Sequence, residues 1–265
     1  MGARSTRGCS TLKQGCVRLA VPFLGPTNQT IRRRRGISGA RQGFFSRATS
    51  GFDDNWSHST SVGRRMIART LGSLTLGYAL GTMPSADLVS RFAGGPDPRT
   101  VGSRNPGAAN TATVLGPGPG LAVLAADIAK GAAAGRVGRH LAGAVGADVA
   151  ATAAVVGHCY PVWNRFRGGK GVATSVGQVL ATFPAYFPID LAVAVGTAAI
   201  PGWKQRAFAA TTVSSAVWVV GSTLWWRRQL PNAWGPAPTG SLPLAAAASS
   251  LVIVRRFLDA QGVHE

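Results

Sequence analysis

Gly157–Thr174 reads GHCYPVWNRFRGGKGVAT and lies between two long runs that are nearly free of charge. Upstream, Leu141–Gly157 carries only Asp148; downstream, Gly171–Trp203 carries only Asp190. The stretch crowds Arg165, Arg167 and Lys170 around Gly168, Gly169 and Gly171. Glycines let backbone N–H groups approach an anion closely, and the cations neutralise its charge. The segment therefore reads as an anion cradle at a membrane surface.

Further runs extend the pattern. Thr70–Ala86, Ala207–Trp226 and Pro231–Val254 carry no charge at all. A bilayer crossing needs roughly 20 mostly apolar residues, so several of these runs qualify. Many are rich in Ala and Gly, which suits close helix–helix packing in lipid. The expected fold is all-α, a polytopic membrane helix bundle. Its first helix covers Ile67–Phe92 and kinks at Pro84. Helices follow near Leu121–Val137 and Leu141–Gly157, one or two more in Ala173–Ile200, and others at Ala207–Trp226 and Leu242–Phe257. Trp225, Trp226 and Trp234, beside Arg227 and Arg228, read as an interfacial belt.

The net charge is +19, from 28 basic and 9 acidic residues. Charge alone is weak evidence for nucleic-acid binding, and here the basic residues sit in short loops between apolar runs, where positive-inside anchoring accounts for them. No nucleic-acid partner is expected. Residues 1–65 hold twelve basic and two acidic residues, with Arg32–Arg35 as a continuous run. This composition predicts a disordered N-terminal extension before a membrane domain at 66–265, with a transit-type peptide as its rival. Cys9, Cys16 and Cys159 show neither metal-ligand spacing nor the even count of a disulfide framework. No metal or other cofactor is expected.

Two more segments carry chemistry. The polar loop Gly94–Asn110 concentrates glycines, Ser103, Asn105, Asn110, Arg99 and Arg104. Such a loop offers backbone, hydroxyl and amide donors to one anion, with an arginine supplying charge; on its own it reads first as a turn-rich surface connection. Asp127-Ile128-Ala129-Lys130-Gly131 places a carboxylate and an ammonium three residues apart on one helix face inside an apolar helix. Either a structural ion pair or a functional one fits. Gly168-Gly169-Lys170-Gly171 lacks Walker A spacing, so it suggests phosphate binding without a nucleotide. His158 reads either as a base or as a buried histidine satisfied by a carbonyl.

Together these segments resemble the bacterial acyl-phosphate:glycerol-3-phosphate acyltransferase family. Its G-S-x-N-P-G-A-x-N loop matches Gly102–Asn110, introduced by Asp97 and Arg99. Its D-x-x-K-G matches Asp127–Gly131, and its G-H-x-[FY]-P and F-[KR]-G-G-K-G-V-A-T match Gly157–Pro161 and Phe166–Thr174. The match runs from about Gly77 to Leu180. It implies about seven membrane helices in a bacterial plasma membrane, with the motif loops on the cytoplasmic face. It implies transfer from an acyl-phosphate to glycerol 3-phosphate, giving lysophosphatidate and phosphate, with no metal or acyl-CoA. It assigns catalysis to Ser103, Lys170 and His158, and substrate binding to Arg99, Gly102, Asn105, Gly107, Asn110, Asp127, Lys130, Gly168, Gly169, Gly171 and Thr174.

The chain departs from that pattern in two places. Thr113 stands where the family has an arginine. Near the C-terminus Arg256 and Asp259 replace a histidine and an asparagine of the third motif. A non-catalytic relative is therefore one alternative reading, and a transporter for a phosphorylated anion is another.

Overall fold

Helical backbone runs through residues 62–81 (α1) and stops before Pro84, which has no N–H to continue the ladder. The computed structural model describes residues 62–203 and 205–261. The expected basic extension lies outside the described residues, except for residues 62–65, which are helical and belong to α1. The single kinked helix expected over Ile67–Phe92 is thus two helices, with α2 at Ser85–Phe92. A loop leads to α3, Ala108–Leu115, and the chain turns again at Gly116, where φ is +95°.

The next element, α4, spans Pro117–Cys159, 43 residues. Straight, it would measure about 65 Å, twice the thickness of the hydrocarbon core. It does not run straight. Ala142 and Gly143 leave helical geometry, and Gly143 takes a positive φ of 62°. The two arms fold back on each other so closely that a Cβ at Gly138 would overlap the carbonyl of Gly146. They correspond to the two separate helices expected on either side of Leu141.

Beyond a 3-10 turn at Val162–Asn164 come α5 (Val172–Thr182) and α6 (Phe187–Ala199), bent against each other by 116°. The last two helices, α7 (Arg206–Arg228) and α8 (Ser241–Gln261), cover the runs expected for them. By length and apolarity three helices qualify as spans among the described residues, or four if the bent α5–α6 pair is one span. Counting in this way does not reach the expected seven, because α1 carries Arg64, Arg65 and Arg69 and α4 counts once for two arms.

Small residues and buried polar pairs hold the helices together, as suits association in lipid. Gly77 and Gly81 let α1 lie against Ala150 and Ala154 of the second arm of α4. Gly131 and Gly177 bring the first arm against α5 with carbonyl oxygens where side chains would stand. Gln178 donates to Thr152 Oγ1 at 3.1 Å and accepts from Ser249 Oγ at 2.8 Å, tying α5 to α4 and α8. Ser241 donates to Asp148 Oδ2 at 2.5 Å at the start of α8. An aromatic cluster of Phe183, Tyr186 and Trp218 closes the packing below α5.

The belt tryptophans lie at the end of α7. Trp225 Nε1 donates to Pro231 O, Trp234 Nε1 to Leu180 O, and Arg139 Nη1 to Trp234 O. At the other end of α7, Phe208 packs on Phe257, beside Lys170. Twenty-three helical residues, about 34 Å, separate the two ends. Basic residues therefore occupy both ends of the bundle, and charge alone does not orient it.

Candidate active site

The loop before α3 is built around one amide. Asn110 is buried; its Oδ1 accepts from Ser103 N at 2.8 Å, and its Nδ2 donates to Pro98 O at 2.8 Å and Val101 O at 3.1 Å. Gly102 has φ +59°, and a Cβ there would overlap Asn110 Oδ1. Both residues therefore shape the loop and set Ser103 and Asn105 at the entrance to α3. Arg99 is held in a bidentate pair by Asp87, at 2.8 and 2.9 Å, and contacts Asp97 Oδ1 at 3.3 Å. Asp87 escaped the sequence reading because it sits on α2, outside every motif.

In the first arm of α4, Lys130 Nζ lies 2.9 Å from Asp127 Oδ1 and donates to Met83 O at 3.1 Å. His158 Nδ1, from the second arm, faces the same carboxylate oxygen at 3.6 Å. All three side chains are buried. The pair read from the sequence is thus a triad that spans the hairpin.

The glycine–cation segment differs from expectation. The N–H groups of Gly168 and Gly169 donate to Cys159 O and His158 O, each at 3.1 Å. They satisfy the last carbonyls of α4 and do not face an anion. Their carbonyls accept from Arg256, Gly168 O from Nη2 at 2.6 Å and Gly169 O from Nε at 3.3 Å. Glycine is needed at both positions for space: a Cβ at Gly168 would overlap His158 O, and one at Gly169 the His158 ring. Arg165 and Arg167 point outward and are exposed. Lys170 alone turns inward, half-buried, with Nζ 4.3 Å from the centre of the Phe257 ring. Burial lowers its pKa from the ordinary lysine value, and the nearby Arg256 charge lowers it further. Thr174 is fully buried beneath Gly131, and its Oγ1 has no hydrogen-bond partner among the described residues.

A cavity of about 520 Å³ collects most of these groups. Ser103, Asn105, Gly107, Asn110, Asp127, His158, Lys170 and Gly171 line its polar end. Residues of α4 to α8, most of them apolar, line the remainder, among them Leu124, Val176, Val179, Leu191 and Ile253, with Asp190, Thr211, Ser214 and Ser215 between them. Two helix N-termini open on the polar end, α3 after Gly107 and α5 after Gly171, and neither is capped by a side chain. Free N–H groups and the macrodipole make such termini anion sites, a signal that lies in the fold and not in any one motif. A second, much smaller polar cavity touches the first at Asp127 and His158. Arg99, Lys130, Gly168 and Gly169 line it, with room for about one water (~20 Å³). Gly102 and Thr174 line neither.

A sequence profile of the glycerol-3-phosphate acyltransferase family matches residues 71–260. The chain belongs to the glycerol-3-phosphate acyltransferase family. The match extends beyond Gly77–Leu180 and takes in α6, α7 and most of α8. A glycerol-3-phosphate acyltransferase of Exiguobacterium sibiricum is 49% identical over 46% of this chain and 59% of its own length. One from Synechococcus sp. is 50% identical over 40% of this chain and 52% of its own. The chain thus spans little more than half the length of these relatives. The crystal structure of PlsY, an integral membrane glycerol 3-phosphate acyltransferase in its glycerol 3-phosphate form, superposes with a TM-score of 0.58 at 26% identity, over 73% of this chain and 90% of that one. With its apolar helices and this neighbour, the chain is an all-helical membrane protein.

The family departures have structural outcomes. Thr113 is exposed and donates to Ala109 O on its own helix at 3.0 Å. Asp259 pairs with Arg255 at 2.9 Å, one turn away on α8. Arg256 turns to the glycine loop, as described above.

Proposed function

We propose that the chain transfers an acyl group from an acyl-phosphate to the primary hydroxyl of glycerol 3-phosphate, giving lysophosphatidate and inorganic phosphate. The observation that carries this reading is the two-ended cavity. Its polar end gathers two uncapped helix N-termini and one inward lysine, and its other end is mostly apolar and lies between the helices. Two phosphates and one acyl chain have that distribution of chemistry.

In this reading Lys170 and the N-terminus of α5 hold one phosphate. Ser103, Asn105 and the N-terminus of α3, which begins after Gly107, hold the other. Asn110 and Gly102 position Ser103. Gly168, Gly169 and Arg256 position Lys170. Asp127 and Lys130 fix His158. The acceptor oxygen bonds to the acyl carbonyl carbon, and the tetrahedral oxyanion is stabilised by the same N–H groups and Lys170. The bond from that carbon to the phosphate oxygen then breaks, and phosphate leaves. The hydroxyl proton passes to His158, with Asp127 behind its Nδ1, or to an oxygen of the departing phosphate. The motif loops face the cytoplasm of a bacterial plasma membrane, where charged phosphorylated substrates are made.

Supplying the same acyl group as acyl-phosphate and as acyl-CoA tests the donor. Transfer from the acyl-phosphate alone supports the reading, and transfer from acyl-CoA alone contradicts it.

A further inference from the structure

Trp163, Arg165, Phe166 and Arg167, in the loop between α4 and α5, line neither cavity. Trp163 is 70% exposed and Phe166 57%, and both arginines are exposed beside them. No ion pair holds Arg165 or Arg167 among the described residues. The stretch Gly157–Thr174 contains no acidic residue at all.

The backbone fixes this display. Arg165 N–H donates to Val162 O at 3.3 Å, Phe166 N–H to Pro161 O at 3.0 Å, and Arg167 N–H to Asn164 O at 3.0 Å. Arg165 and Phe166 both take positive φ, 50° and 61°. Left-handed geometry at two successive L residues is costly, most of all for a bulky aromatic, and such strain gathers at binding sites. The loop also stays close to the helix ends. Gly168 and Gly169 bond back to Cys159 O and His158 O, the last residues of α4, so Val162–Arg167 extends only a short turn beyond that helix.

Aromatic rings and guanidinium groups side by side at the end of a membrane helix match the lipid–water boundary, where rings enter the interface and cations meet phosphate. A soluble protein is the poorer fit, because a stable interface takes about 800 Å² and about 20–30 residues from each side. We propose that Val162–Arg167 is a binding site for the head groups of anionic phospholipids, with Arg165 and Arg167 on the phosphates and Trp163 and Phe166 in the interface. Guanidinium forks suit phosphate oxygens, and each cation close to an anionic surface adds to the attraction. A zwitterionic head group offsets its phosphate with its own cation and is held less. The site is separate from the phosphate-binding end of the large cavity and does not depend on acyl transfer.

The test is cross-linking from within the loop. The full chain carrying Val162→p-benzoylphenylalanine, at a position 43% exposed, is irradiated in phosphatidylcholine nanodiscs. These contain a trace of labelled phosphatidylglycerol or, in parallel, of labelled phosphatidylcholine. Phosphatidylglycerol is expected to be captured about fivefold more than phosphatidylcholine. Adding Arg165→Gln with Arg167→Gln should bring the two lipids level, with an unchanged melting temperature showing that the fold survives. Arg227→Gln with Arg228→Gln, at the other end of α7, should leave the preference intact, as should an excess of inorganic phosphate. Equal capture of the two lipids with both loop arginines present overturns the proposal, and so does an absence of lipid capture. A preference that survives the loss of Arg165 and Arg167 overturns it too, and one abolished by inorganic phosphate makes the loop a site for free phosphate instead. The capture ratio stands whether or not the same protein turns over acyl-phosphate, so failure of the reaction and failure of the lipid site are read separately.

Discussion

Arg256 Nη2 donates to Gly168 O at 2.6 Å across 88 residues of sequence, joining the end of α8 to the loop that presents Lys170. The guanidinium also reaches Gly169 O and lies 5.3 Å from the centre of the Tyr160 ring. A residue that departs from the family's third motif thus takes up a defined post behind the glycine loop. Its planar fork suits two adjacent carbonyls in a way that an ammonium does not. Arg256→Gln is expected to lower kcat/KM of acyl transfer by about 10- to 100-fold, from the ~1.5–3 kcal/mol of a charged hydrogen bond. Arg256→Lys, keeping the charge but not the fork, should lose less. Steady-state kinetics of both variants in proteoliposomes check the ordering; equal activity in all three proteins would free Arg256 of any positioning role.

The Asp127–Lys130 pair is buried on both sides. Removing one partner leaves a lone charge in the bundle, at a cost of about 3–5 kcal/mol. Asp127→Asn is therefore expected to unfold readily in detergent. The double variant Asp127→Leu with Lys130→Met removes both charges, and its melting temperature should return toward wild type. Activity should not return with it, because His158 has lost the carboxylate 3.6 Å from its Nδ1. Full activity in a refolded double variant would reduce the triad to an ion pair of structural value only.

Lys170 sets a pH dependence. Its ammonium is disfavoured first by burial and then by Arg256, so in the free protein it loses its proton below the ordinary lysine pKa of 10.5. The protonated form binds phosphate, so affinity for glycerol 3-phosphate or acyl-phosphate should be highest at low and neutral pH. It should fall as pH rises, before free lysine would titrate. Lys170→Arg, charged throughout this range, should remove that alkaline fall. Binding of inorganic phosphate between pH 7 and 10.5, measured on both proteins, is the check; identical profiles would place the titration elsewhere.

Much of this architecture was legible in hydropathy. The runs at Ala207–Trp226 and Leu242–Phe257 became α7 and α8 within a residue or a few, and the two arms of α4 were foreseen as separate helices. Hydropathy does not give the 116° bend between α5 and α6, because Phe183, Pro184 and Pro188 mark a break but not its angle. Motif spacing named residues that do meet in one cavity, from Ser103 and Asn105 to His158 and Lys170. It misjudged the glycines. A glycine that admits an anion and one that makes room for a histidine ring look alike in sequence, and Gly168 and Gly169 are of the second kind. Asp87 lies outside every motif and Arg256 stands out only as a departure from one; their partners are distant in the chain, and only the fold brings Asp87 to Arg99 and Arg256 to the loop.

In the proposed reaction Lys170 and the two helix N-termini hold the phosphates of donor and acceptor. The most direct measurement is formation of labelled lysophosphatidate from acyl-phosphate and labelled glycerol 3-phosphate, in membranes containing wild type or Lys170→Ala. Product from the wild type that falls at least a hundredfold in the variant, with both proteins folded, is the predicted result. No product from folded wild type at high acceptor concentration, or unchanged product from Lys170→Ala, would contradict the account.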